Sequence, residues 1–68
     1  MNARALALST FGLDIAIVRA LRSEAAQAGD TATVADCDTI EAVGRDGTPD
    51  DAVMRRVEQA LADARAQS

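Results

Sequence analysis

The sequence predicts an all-α protein: a small helical bundle built from a helical hairpin, a third amphipathic helix and an N-terminal arm. Three observations carry that prediction. Apolar residues recur at helical spacing in three separate segments. Gly, Asp and Pro stand where helices stop and start. No segment has the period of a strand. The 68 residues make one small domain, 1–68. Sixteen of them are Ala, the strongest helix former, and one is aromatic, Phe11.

The first twelve residues are read as an arm. Ser9, Thr10 and Gly12 argue against running the following helix backwards, although Phe11 falls on its apolar stripe. Leu6, Leu8 and Phe11 are too apolar to be left in water. Residues 13–28 are the first long helix. Ile17, Val18, Leu21, Ala25 and Ala28 cluster within roughly 120° of its wheel and form the core-facing stripe. Arg19, Ser23 and Gln27 lie opposite.

Gly29 suits the left-handed end of that helix, and Asp30 the cap of the next. The second helix is expected over 31–43, with Val34, Cys37 and Ile40 on one face and Gly44 ending the run. Its threonines and narrow stripe make it dependent on packing. Arg45, Asp46 and Gly47 form a turn. Thr48 then reads as a cap, Pro49 as the first helical position, and Asp50 and Asp51 as first-turn carboxylates favoured by the helix dipole. A third helix over 49–66 carries the stripe Val53, Val57, Ala60, Leu61 and Ala64, and Asp51 is placed to pair with Arg55 four residues on.

Composition excludes several classes of function. The chain has no His and one Cys, which rules out a zinc site, an intrachain disulfide and every Ser-His or Cys-His mechanism. No nucleophile–base pair or phosphate loop is present. A non-enzymatic protein with no catalytic residue, metal or cofactor is expected. The formal charge of −4 disfavours direct binding to nucleic acid or to an anionic membrane. The stretch Ala5 to Leu8 is too short for the apolar region of a signal peptide, and no window approaches a transmembrane helix. A bacterial cytoplasmic location is therefore expected.

All seven cations are Arg; with the Ala excess, this suggests a GC-rich coding sequence. The run Val18-Arg19-Ala20-Leu21-Arg22-Ser23-Glu24-Ala25-Ala26-Gln27-Ala28-Gly29-Asp30, continued by Val34 and Cys37, resembles small accessory proteins of bacteriophages and prophages of GC-rich bacteria. In those proteins an Arg-Ala-Leu-Arg-x-Glu-Ala helix, an Ala-Gly-Asp turn and a second helix carrying a Cys recur. The resemblance covers about residues 17–43. It implies a phage or prophage setting and carries over no catalytic residue.

The negative charge is concentrated in the middle of the sequence. Residues 30–51 hold seven carboxylates against Arg45 alone. Asp36, Asp38, Glu41 and Asp46 are the candidate partner-binding surface: aligned carboxylates can replace phosphates for a basic, nucleic-acid-binding surface of a host protein. The plainer reading gives Asp30, Asp50 and Asp51 to helix starts and Asp46 to a turn. Only Asp36, Asp38 and Glu41 are then without a local task, and on a helix they do not share one face. Their spacing does not fit a calcium loop. Cys37 is read as a small buried hydrophobe rather than a nucleophile, because a reactive thiol needs a base or a cation beside it. Arg55 and Arg56 are read as part of a solvated helix face.

These features point to a phage accessory protein that acts by protein–protein binding, with inhibition of a host defence system, in the manner of an anti-CRISPR, as the specific role. The alternative is a self-assembling structural or regulatory module. Leu8, Phe11, Leu13 and Ile15 have no evident place in a three-helix core. They are the candidate self-association residues of an expected homodimer.

Overall fold

The computed structural model describes residues 2–67; Met1 and Ser68, the ends of the expected domain, lie outside the described residues. Among the described residues there are four helices: α1 (Ala3–Thr10), α2 (Ile15–Ala28), α3 (Thr31–Ala42) and α4 (Asp51–Ala66). Each opens on an Asn or Asp. Asn2 accepts the Ala5 amide at 2.7 Å and Asp14 the Ile17 amide at 2.7 Å. Asp30 accepts the Thr33 amide at 3.1 Å and Asp50 the Ala52 amide at 2.7 Å. Such a side chain satisfies an amide that would otherwise have no partner in the first turn.

The sequence-based bounds need four corrections. The arm over 1–12 contains a helix, α1. The helix expected from residue 13 starts at Ile15, because Asp14 caps it in an extended conformation. The helix expected to 43 ends at Ala42. The helix expected from 49 starts at Asp51, with Asp50 rather than Thr48 as its cap. A carboxylate is a better acceptor than a hydroxyl at a helix N-terminus. Pro49 accordingly lies one residue before the cap. It is buried, as is Met54; these are the two positions that staple a helix entry together.

α1 and α2 end by the same device. The Gly12 amide donates to the Ser9 carbonyl at 3.0 Å and the Leu13 amide to the Leu8 carbonyl at 3.0 Å. The Gly29 amide donates to Ala26 at 3.3 Å and the Asp30 amide to Ala25 at 2.9 Å. This paired closure needs a left-handed residue, and both glycines supply it, with φ of 70° and 73°. The junction expected at Gly29 and Asp30 is therefore the one observed. Gly12 turns the chain in the same way, so Leu8 and Leu13 both reach the core.

α3 is the shared wall of the bundle and packs against both α2 and α4. The core is Leu8, Leu13, Val18, Leu21, Cys37, Ile40, Val53, Met54 and Val57. Burying a side chain of this size contributes about 1.5–3 kcal/mol. The α2 stripe holds at Val18, Leu21 and Ala25; Ile17 is half-buried and Ala28 is exposed. Leu8 and Leu13 are 0% and 3% exposed, and Phe11 and Ile15 pack against the same core half-buried. These four residues, expected to need a second copy for burial, find a place within one chain. Among the described residues, Leu6 is the large apolar side chain left in solvent, 59% exposed.

α1 is also held by polar contacts. The Arg4 amide donates to the Arg45 carbonyl at 3.1 Å. The Arg4 guanidinium, nearly buried, donates to the Glu41 carbonyl at 3.4 Å and lies 3.6 Å from the Glu41 carboxylate. A cation at the C-terminal end of α3 satisfies its last carbonyls and complements its dipole. No helix among the described residues is long and apolar enough to cross a membrane.

Candidate protein-binding surface

The three acids of α3 that have no local task in the sequence each have a partner on another helix. Asp36 takes a two-pronged contact from Arg56 of α4, at 2.9 Å for both bonds. Asp38 pairs with Arg22 of α2. Glu41 accepts from Arg19 of α2 at 2.7 Å and from Arg4 of α1. Four arginines from three helices therefore converge on one helix. The reason is register. Residues 36, 38 and 41 fall on both flanks of α3, and its two neighbours present arginines to those flanks.

This arrangement changes the reading of the expected anionic face. Asp36, Asp38 and Glu41 do not form one bare row of carboxylates; each is locally neutralised. Asp46 stands apart, exposed in the loop between α3 and α4. Among the described residues, no ion pair joins Asp51 and Arg55. Sequence spacing finds pairs within a helix but cannot supply the register between helices. Arg4, Arg19, Arg22 and Arg56 are the residues that sequence reasoning missed. Their best signal was the excess of acids on a helix flanked by arginine-bearing ones.

Hydrogen bonding and charge set the titration of these groups. The Arg22 guanidinium holds the Asp38 carboxyl below its ordinary value of 3.8. The Arg19 hydrogen bond, helped by the charges of Arg19 and Arg4, holds Glu41 below its ordinary 4.5. The Thr33 hydroxyl and amide do the same for Asp30. A depressed folded-state pKa stabilises the protein above the unfolded value, and that stabilisation is lost as pH falls through the folded one. The thermal unfolding midpoint should hold steady through neutral pH and fall once the pH drops below the ordinary values of 4.5 for Glu41 and 3.8 for the two Asp, as these carboxylates protonate. High salt should reduce the share of the drop that comes from Asp38 and Glu41, because exposed pairs are screened. A midpoint that stays constant as the pH falls through the carboxylate range would contradict this.

Cys37 is fully buried, and burial pushes its thiol up from an ordinary 9.0. It stays protonated at neutral pH and serves as a core side chain, as its place beside Ile40 predicts.

A second feature was not foreseen. α3 packs against both α2 and α4, and a cleft of about 500 Å³ lies between those two helices. Its walls are rich in Ala, its floor includes Thr33, and its rim carries Glu24, Asp30 and Asp63. A smaller hollow of about 290 Å³ adjoins it and shares Leu21, Glu24 and Ala64. Among the described residues, no group of three or more His, Cys, Asp or Glu could hold a metal ion. No protein-family model matches this chain, and neither does any curated protein or solved structure.

Proposed function

We propose that this protein acts by binding a protein partner, without catalysis, as a bacteriophage or prophage accessory protein. The role we assign is inhibition of a host defence system in the manner of an anti-CRISPR, exerted in the host cytoplasm. The partner is a basic, nucleic-acid-binding surface of a host complex. One observation carries this reading: the way charge is shared out. Four arginines are engaged by Asp36, Asp38 and Glu41. Outside those pairs the sequence holds eight carboxylates and three arginines. Such a surface repels nucleic acid and steers a cationic protein face toward it.

The test is capture from the native host, with the captured complex identified by mass. The expected catch is a nuclease or surveillance complex that is released by salt and displaced by competing DNA. The folded triple variant D46N/D51N/E58Q, which removes exposed carboxylates outside those pairs, should lose it. Full binding by that variant would contradict the reading. Capture of nothing but the protein itself would favour the second reading, a self-assembling structural or regulatory module. Exposed Leu6 and half-buried Phe11 and Ile15 support that second reading and would be its homodimer contacts.

A further inference from the structure

We propose that the cleft between α2 and α4 is a docking groove for an arginine-rich amphipathic helix of the partner. The proposal rests on the protein-binding reading above and adds the kind of segment that is bound. Three features of the cleft set its occupant. The walls are two helices whose facing side chains include Ala25, Ala28 and Ala60. Small residues let a third helix approach closely, its larger apolar side chains filling the space the alanines leave. The rim supplies the charge: Glu24, Asp30 and Asp63 border the opening. Arg56, the cation on that rim, is already tied to Asp36 through two bonds of 2.9 Å. The carboxylates therefore face the occupant without a local counter-charge from Arg56. Asp30 is kept ionised by the Thr33 hydroxyl and amide on the cleft floor.

A helix with Leu and Ala on one face and Arg on its flanks matches both elements. Its apolar ridge enters the cleft, and its guanidinium groups meet Glu24 on the α2 side and Asp63 on the α4 side. Arg is favoured over Lys because its planar fork engages a carboxylate through two bonds. α3 packs against both walls and contributes Thr33 to the lining, so a helix can lie along the cleft on the side away from α3.

The probe is a synthetic helical peptide with a Leu/Ala face and Arg flanks, titrated into the isotopically labelled full chain and followed by amide chemical shifts. Shifts should cluster on Glu24 to Ala28, Thr33 and Gln59 to Asp63. A peptide of the same apolar face with Glu in place of Arg should produce none. E24R/D63R should abolish the shifts, and so should A60W, which fills the cleft without changing its charge. D38N/E41Q, on the other face of α2 and α3, should leave them unchanged. Equal binding by the Glu peptide, shifts centred on the α3 acids, or undiminished binding to folded A60W would each overturn the proposal. Loss of peptide binding with intact capture of the host complex refutes the groove and leaves the protein-binding reading standing. Peptide binding with capture of only the protein itself refutes that reading instead.

Discussion

Leu8→Ala should leave most of the chain unfolded at room temperature. Leu8 is 0% exposed and sits in the core with Leu13 and Val18. Its carbonyl also accepts the Phe11 and Leu13 amides, at 2.9 and 3.0 Å, which close α1. Cutting a buried Leu back to Ala costs about 2–5 kcal/mol, because the cavity left behind relaxes only in part. A single core in a chain of this length supplies roughly 3–5 kcal/mol in all. The loss is therefore comparable to the total. Leu6→Ala, two residues away and exposed, should change stability by no more than about 0.5 kcal/mol. Far-UV circular dichroism during urea unfolding would read both. Similar effects at the two positions would mean that α1 does not present Leu8 to the core.

Gly47→Ala should be the most damaging single methyl that can be added to the loop between α3 and α4. A Cβ on Gly47 would run into the Val43 carbonyl oxygen and come within 2.8 Å of the Val43 Cβ and 2.9 Å of its carbonyl carbon. Two of those three atoms are backbone, at the end of α3, and cannot swing aside. The loop would have to move, and Gly47 donates to the Gly44 carbonyl at 3.3 Å within it. Overpacking of this kind costs about 1–3 kcal/mol. The expected result is a lower unfolding midpoint, with amide shifts changed over residues 43–50 and along the start of α4. A neutral substitution would show that α3 and α4 are joined by a looser turn.

Much of the fold was legible because helix ends have local chemistry. Gly29 followed by Asp30 marks one helix stopping and the next starting, and the two residues do both jobs. The Val53 and Val57 stripe on α4 and the Cys37 and Ile40 face on α3 were equally plain, since burial follows a 3.6-residue period. α1 was hidden for physical reasons. It has eight residues, ends in Ser-Thr, and buries one cation and one Leu rather than a periodic stripe. Its two punctuation marks, Asn2 and Gly12, were in the sequence but have meaning only once a helix is placed between them. The place of Leu8 and Leu13 was hidden with it, since without α1 they have no evident position in the core. The acid cluster was half legible. Asp36, Asp38 and Glu41 do lack tasks within α3, but Arg4, Arg19, Arg22 and Arg56 answer them from other helices. Only packing decides that register. The cleft was invisible for the same reason, being set by how α2 and α4 sit on α3.

The central structural claim is that one chain completes its own core, with α1 as part of it. Native-state amide hydrogen exchange, measured at two protein concentrations, tests this most directly. The amides that close α1, Leu13 onto Leu8 and Gly12 onto Ser9, should be protected alongside those of α2 and α3, and equally at both concentrations. Protection of α1 that is absent at the lower concentration and appears at the higher one would contradict the account, because the first residues would then be an arm that orders only against a second copy.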